Sequence, residues 1–256
     1  LEFRRVLFRS LAAAFGAPLA GVLFALEELH KNFSAEVLVS TMAASAVADY
    51  IAVNIIGLRP VFDFDVEHRI PLRLYWSVVL LGVILGILGV LYNKLLDKMQ
   101  DFFDRFNSKF ISIGIMLMIS FLMMFIYPAV LGSGNNLVKV ISDGKFTLAA
   151  LTILFAAKLF FSTGSFGTGT PGGIFLPLLV IGAITGGLYS TFLSVTFGVE
   201  EYYIKGFVII AMAGFFSAIV RAPITGVILI TEMTGNFMTL LSLVSASLVR
   251  SEEHTS

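Results

Sequence analysis

The sequence predicts an all-α, polytopic membrane protein whose broken or re-entrant helices form inverted repeats. Three observations predict it: a deficit of charge, a succession of apolar runs cut by proline and glycine, and a motif that occurs twice. Of 256 residues, 57% are hydrophobic and 13% are charged, and the mean hydropathy is +0.94. A soluble domain is about one quarter charged. Too few polar side chains remain to cover a water-facing surface, so the bilayer is the expected solvent. Lys+Arg and Asp+Glu are equal at 17, which leaves no electrostatic footprint for nucleic acid. The absence of cysteine excludes disulfides, cysteine-ligated metals and thiol catalysis. The apolar character begins near the first residue without a cleavage-site pattern, so no signal peptide is expected.

Both ends read as foreign. Residues 250–256 are RSEEHTS and residues 4–10 are RRVLFRS. One coding of the first peptide is the reverse complement of a coding of the second, and the shared oligonucleotide resembles a sequencing-library adapter. Residues 1–10 and 250–256 are therefore expected to be adapter-derived, non-native sequence. That leaves residues 11–249 as a membrane domain truncated on both sides.

Taken in order, residues 17–29 are apolar until they meet Glu27 and Glu28, and residues 37–56 are nearly uncharged. A polar loop follows with Asp63, Asp65, Glu67, His68 and Arg69. Residues 74–92 form a long run that continues as an amphipathic helix through Asn93, Lys94, Asp97 and Lys98. Residues 111–126 end at Tyr127 and Pro128, and residues 131–143 read as a Gly/Asn loop. Residues 148–161 lead into a glycine-rich stretch at 164–173. Apolar runs at 174–193, 207–220, 223–230 and 237–249 complete the set. Several are shorter than the ~20 residues a spanning helix needs. Non-helical backbone survives at membrane depth only when buried in protein or lining a wet cavity, and discontinuous helices mark transporter sites.

Residues 17–29 read APLAGVLFALEEL and residues 222–234 read APITGVILITEMT. The aligned pairs are Ala17/Ala222, Pro18/Pro223, Gly21/Gly226 and Glu27/Glu232. Each motif places proline in a first helical turn, where the missing N–H has no cost. Each ends an apolar helix on an acidic residue. The repeat fits a two-half transporter architecture, in which the helices starting at Pro18 and Pro223 run in opposite directions about a pseudo-two-fold axis.

The chemistry concentrates in GTGTPGGIFLP, residues 167–177. Glycine-rich backbone leading into an apolar helix presents free N–H groups and the positive end of the helix dipole to an anion. Small residues let an ion approach the backbone closely. A P-loop is excluded because no Gly-Lys-Ser/Thr follows. On these residues alone, close helix packing through small side chains stands equally well. Glu28 is the second distinct position, since a carboxylate closing an apolar run needs water or a partner. Its plain alternative is a helix-end glutamate at the interface. Glu27 and Glu232 are expected to be structural, paired with basic groups such as Arg221. Met116, Met118, Met123 and Met124 read as core packing, and no metal site is expected. An intramembrane hydrolase would need a histidine near Ser162 or Ser165, but His30 and His68 fall at a helix end and in a loop. A non-transporting scaffold would explain the hydrophobicity but not the repeat with its glycine-rich loop.

GGIFLP, APLAGVLFALEEL and RAPITGVILITEMTGNF together resemble three conserved stretches of the CLC family of chloride channels and proton-coupled chloride transporters, in the same order and spacing over residues 11–249. The resemblance implies a homodimer with a separate anion pathway in each subunit. It implies an anion seat at the G-x-F-x-P motif of Gly173, Phe175 and Pro177, with the N–H groups of Ile174 and Phe175 as ligands. A tyrosine hydroxyl adds to that seat in the family. This chain has Phe237 there, which has no donor. The family's G-S-G-I-P motif and its gating-glutamate motif are absent; GSGNN at residues 132–136 lacks the Ile-Pro of the first. Both would precede residue 11. Glu28 falls on the internal proton-transfer glutamate of the exchangers, which favours chloride/proton exchange over the alternatives, a passive chloride channel or a fluoride/proton exchanger. No enzymatic activity and no cofactor are implied beyond chloride as transported ligand. The implied partners are chloride, protons, the lipid bilayer and a second copy, without nucleic acid. The implied location is a bacterial-type plasma membrane, crossed several times.

Overall fold

The computed structural model of the chain describes residues 12–30, 35–57, 62, 70–106, 108–132, 134–144, 146–170 and 172–235. The two end segments, most of the polar loop with His68, and Phe237 lie outside them. Every regular element among the described residues is helical. In chain order these are α1 (Pro18–Phe24), which widens into a π-helical turn at Ala25–His30, and α2 (Ala35–Ile51). Next come α3 (Tyr75–Asp104), α4 (Lys109–Ile126), α5 (Asn135–Ser142) and α6 (Leu148–Gly167). Last are α7 (Phe175–Phe197), α8 (Ile204–Val220) and α9 (Pro223–Thr234). Among the described residues, six helical segments are long and apolar enough to cross a bilayer, and the chain is a multi-pass integral membrane protein.

Burial sorts these segments into an inner pair and an outer ring. In the segments Phe175–Phe197 and Glu201–Val220, 72% and 83% of the apolar window is buried, against 11% for Lys109–Ile126. The outer helices turn large apolar side chains outward, among them Phe110, Leu117, Phe121 and Phe125 on α4. In water such a surface would drive association; in a bilayer it is the lipid face. The inner pair packs backbone to backbone. A Cβ on Gly182 would lie 2.8 Å from the Ala211 carbonyl oxygen, and one on Gly186 would lie 2.7 Å from that of Phe207. Small residues one turn apart give α7 and α8 the close approach that dispersion needs where lipid removes the hydrophobic drive.

Several polar side chains inside the protein reach partners on neighbouring segments. The Tyr92 hydroxyl on α3 lies 3.2 Å from the Ser162 hydroxyl on α6. The Tyr189 hydroxyl on α7 donates to the Ser77 carbonyl at 2.8 Å. Lys158, at the centre of α6 and 2% exposed, donates to the carbonyls of Val130 and Gly132 at 2.7 and 2.9 Å. Those carbonyls belong to the break after α4 at Tyr127–Pro128, so a charge in mid-span is satisfied by exposed backbone.

Two sequence expectations change. Residues 131–143 do not form a simple loop, because α5 starts at Asn135. Its buried face is Leu137, Val138 and Ile141, set among polar residues over barely two turns. The glycine-rich stretch also begins later than expected. α6 runs on through Gly164 to Gly167, where a Cβ would lie 2.7 Å from Met99 Cβ. Those glycines bring α6 against its neighbours.

The repeat is borne out in direction. α1 and α9 pack together, and each N-terminus meets the other's C-terminal turn. The Leu19 and Ala20 N–H groups donate to the two oxygens of Glu232 at 3.0 and 2.8 Å. The Ile224 and Thr225 N–H groups donate to those of Glu27 at 3.3 and 2.8 Å. Pro18 and Pro223 each occupy the first turn, preceded by residues of like conformation, Ala17 at φ −129°, ψ 68° and Ala222 at φ −123°, ψ 78°. The expected pairing of these glutamates with Arg221 is corrected. Among the described residues their partners are helix N–H groups and the Thr225 hydroxyl, which donates to Glu27 at 2.8 Å.

Candidate anion-binding site

α6 ends at Gly167 because the chain from Thr168 onward folds into a turn. Thr168 Oγ1 donates to the Ser165 carbonyl at 2.8 Å and lies 2.9 Å from Thr170 Oγ1. Gly172, Gly173 and Ile174 then run without regular structure into α7. Among the described residues, no side chain caps that end of α7. Among the described residues, the N–H groups of Ile174 and Phe175 have no main-chain acceptor in turns or loops. The first turn of a helix leaves its donors unpaired, and the dipole of α7 places its positive end at the same spot.

This end of α7 opens on a cavity of about 640 Å³. Gly172, Gly173, Ile174 and Phe175 form one wall, and half-buried Glu28 stands on the same cavity. A Cβ on Gly173 would meet nothing within 4 Å, so packing does not require glycine there. What its small size leaves open is the approach to the backbone. Pro177 is not on the wall. It stands in the first turn of α7, where a missing donor disrupts no helical bond. Phe237 falls outside the described residues. The structure thus brings Gly173, Ile174, Phe175 and Glu28 to one space.

Aromatic packing fixes the wall. The Phe175 ring stacks on Phe216 at 5.3 Å and meets Phe24 edge-on at 5.4 Å. Phe15 lies 6.3 Å away, tilted. These contacts hold the Phe175 ring, and with it the start of α7, in place on the cavity wall. Phe24 is the last residue of α1 before the π-helical turn, and that turn carries Glu28 to the cavity. Single π-helical turns within helices are frequent at functional positions.

Phe15, Asn93, Ile219 and Val220 also line the cavity, and sequence reasoning missed them. The repeat held a signal. Pro18 and Pro223 are 205 positions apart, and the same offset pairs Ala14 with Ile219 and Phe15 with Val220. All four are on the wall, so the cavity lies between the two halves of the repeat. Of the two serines considered for hydrolysis, Ser162 has the Tyr92 hydroxyl as its neighbour. No group of three or more metal-ligating side chains occurs among the described residues.

Comparison with known proteins agrees with this architecture. Residues 10–251 match the family described as voltage gated chloride channel. Two H(+)/Cl(-) exchange transporters called ClcA, from strains of Vibrio cholerae serotype O1, are 35% and 34% identical over 245 residues. Those alignments cover 93% of this chain and 52% of the relatives, so the chain spans about half their length. A slow cyanobacterial Cl-/H+ antiporter superposes with a TM-score of 0.83 at 29% identity, covering 94% of this chain and 58% of that one. A CLC-type fluoride/proton antiporter superposes with 0.77 at 22% identity, covering 94% and 59%, and shows the shared fold. The motif order, the inverted pair α1 and α9 and a match over nearly the whole length lead to one conclusion: the chain belongs to the voltage-gated chloride channel family.

Proposed function

We propose that the intact protein exchanges chloride for protons across a bacterial-type plasma membrane. The anion is held by the N–H groups of Ile174 and Phe175 beside Gly173, and protons pass through Glu28. The observation that carries this reading is one cavity faced by both an uncapped helix N-terminus and a carboxylate. The donors suit an anion, and a carboxylate at the end of an apolar helix suits a proton. Exchange is also what the relatives' names state of them. Pro177 shapes the first turn, and Phe237 stands where the family's tyrosine would add a hydroxyl. The proposed partner is a second copy. The repeat-related Leu19 and Ile224, 51% and 50% exposed, offer apolar surface for it to cover.

The test is efflux from liposomes holding the intact protein. Wild type should move chloride outward and protons inward together. Glu28→Gln should keep chloride efflux and lose proton movement. Proton movement unaffected by Glu28→Gln would refute the assigned role. Chloride efflux without protons in the wild type would mean a passive channel, and preference for fluoride would mean a fluoride exchanger.

A further inference from the structure

The wall of the cavity is apolar apart from two side chains. Among the described residues that line it, only Glu28 and Asn93 carry polar ones. Asn93 stands in α3, at the head of a polar run with Lys94, Asp97 and Lys98. Those three are exposed, whereas Asn93 is half-buried. Leu96, one turn on, lines the cavity too, so one face of α3 forms part of the wall. The preceding residue fixes the rotation of α3 about its axis. Fully buried Tyr92 lies 3.2 Å from the Ser162 hydroxyl on α6 and meets Phe215 edge-on at 6.0 Å. Phe216, next along α8, stacks on Phe175. Adjacent aromatic residues on α8 therefore hold both the helix that carries Asn93 and the start of α7. Among the described residues, the Asn93 amide makes no hydrogen bond. Asn54 differs, since its Nδ2 donates to the Tyr50 carbonyl at 2.8 Å. The Asn93 N–H donors are left for whatever occupies the cavity, and leaving them unpaired beside apolar walls is costly.

We propose that Asn93 is an anion-binding residue, whose amide donates to a small monovalent anion from α3 while the Ile174 and Phe175 N–H groups donate from α7. The inference rests on α7 being the anion's seat. A carboxamide supplies a donor without a charge, so it helps to hold the ion without trapping it. On the same wall the ionised form of Glu28 repels an anion, which leaves Asn93 as the side chain there that attracts one.

The test is calorimetric titration with chloride of the intact purified protein, as wild type, Asn93→Leu and Asn93→Asp, two replacements of similar size. Asn93→Leu removes the donors and should bind chloride about tenfold more weakly. Asn93→Asp presents an acceptor-only carboxylate at neutral pH and should bind more weakly still. As pH is lowered to about 4, the new carboxyl gains a proton and with it an O–H donor. Its binding should then approach that of wild type at the same pH, and Asn93→Leu should show no such recovery. Glu28, the titratable side chain on the wall, is common to all three and cancels in the comparison. Chloride binding by Asn93→Leu equal to that of wild type overturns the inference and leaves the α7 seat standing. An absence of saturable binding in wild type would sink that seat and the inference together. If the leucine variant does not fold, the aspartate variant decides. Wild-type affinity at neutral pH, or weak binding that does not recover in acid, overturns the inference.

Discussion

Lys158 shows how a single charge is accommodated in mid-span. Its ammonium meets the two carbonyls left open by the chain break after Tyr127, Val130 and Gly132. Neither side is tolerable alone, since bare carbonyls and a bare ammonium are both costly where water is absent. Lys158→Met keeps much of the volume and removes both donors. A buried acceptor left without a partner costs about 1–3 kcal/mol. Thermal melting at constant chloride should therefore show a loss of that order, and an unchanged melting point would mean that the turn finds other donors. Glu27 shows the same logic with opposite sign, because its partners are backbone N–H groups and a hydroxyl and not a basic side chain.

Among the elements, α7 and the segment that leads into it have two kinds of glycine. Gly186 is held by contact, since a methyl group there would sit 2.7 Å from the Phe207 carbonyl oxygen and 2.7 Å from Val208 Cα. Both are backbone atoms that no rotamer change can move. Gly173 is held by no contact at all. Gly186→Ala should push α7 from α8 and cost about 1–3 kcal/mol by overpacking. Gly173→Ala should leave the melting point unchanged and weaken chloride binding measured by calorimetry, because the methyl stands on the cavity wall. The reverse pattern would exchange the two assignments. The sequence showed glycine at both positions without separating them. Spacing alone located α7 and its first turn, since a glycine run marks where an apolar helix begins, but it left anion seat and close packing equally open. α5 escaped because its apolar face of Leu137, Val138 and Ile141 lasts barely two turns and follows Gly/Asn residues that read as a loop.

At the scale of the molecule, the repeat was the most legible feature, and its partners were the least. Matched prolines and glutamates were visible in the chain. That each glutamate would cap the other helix was not, because the donors are backbone groups identical at every position. The cavity residues Phe15 and Val220 look like any lipid-facing side chain until the fold brings them together. Symmetry also exposes a difference. Gly16 and Arg221 stand at equivalent places and share a left-handed backbone, at φ 58° and 62°. An L-residue costs about 1–2 kcal/mol there, so Arg221→Gly should hold or raise the melting temperature. Arg221→Val, which is β-branched, should lower it. Equal melting of the two variants would mean that the turn relaxes. The reciprocal caps also set an order of events. Glu27 is 197 and 198 positions from the residues whose N–H groups donate to it, Ile224 and Thr225, so α1 emerges from the ribosome long before α9 exists. Until then its first N–H groups and its glutamate have no lasting partner in the bilayer. Nascent α1 must be sheltered by the insertion machinery or by neighbouring helices, and a helix made some two hundred residues later locks it into place.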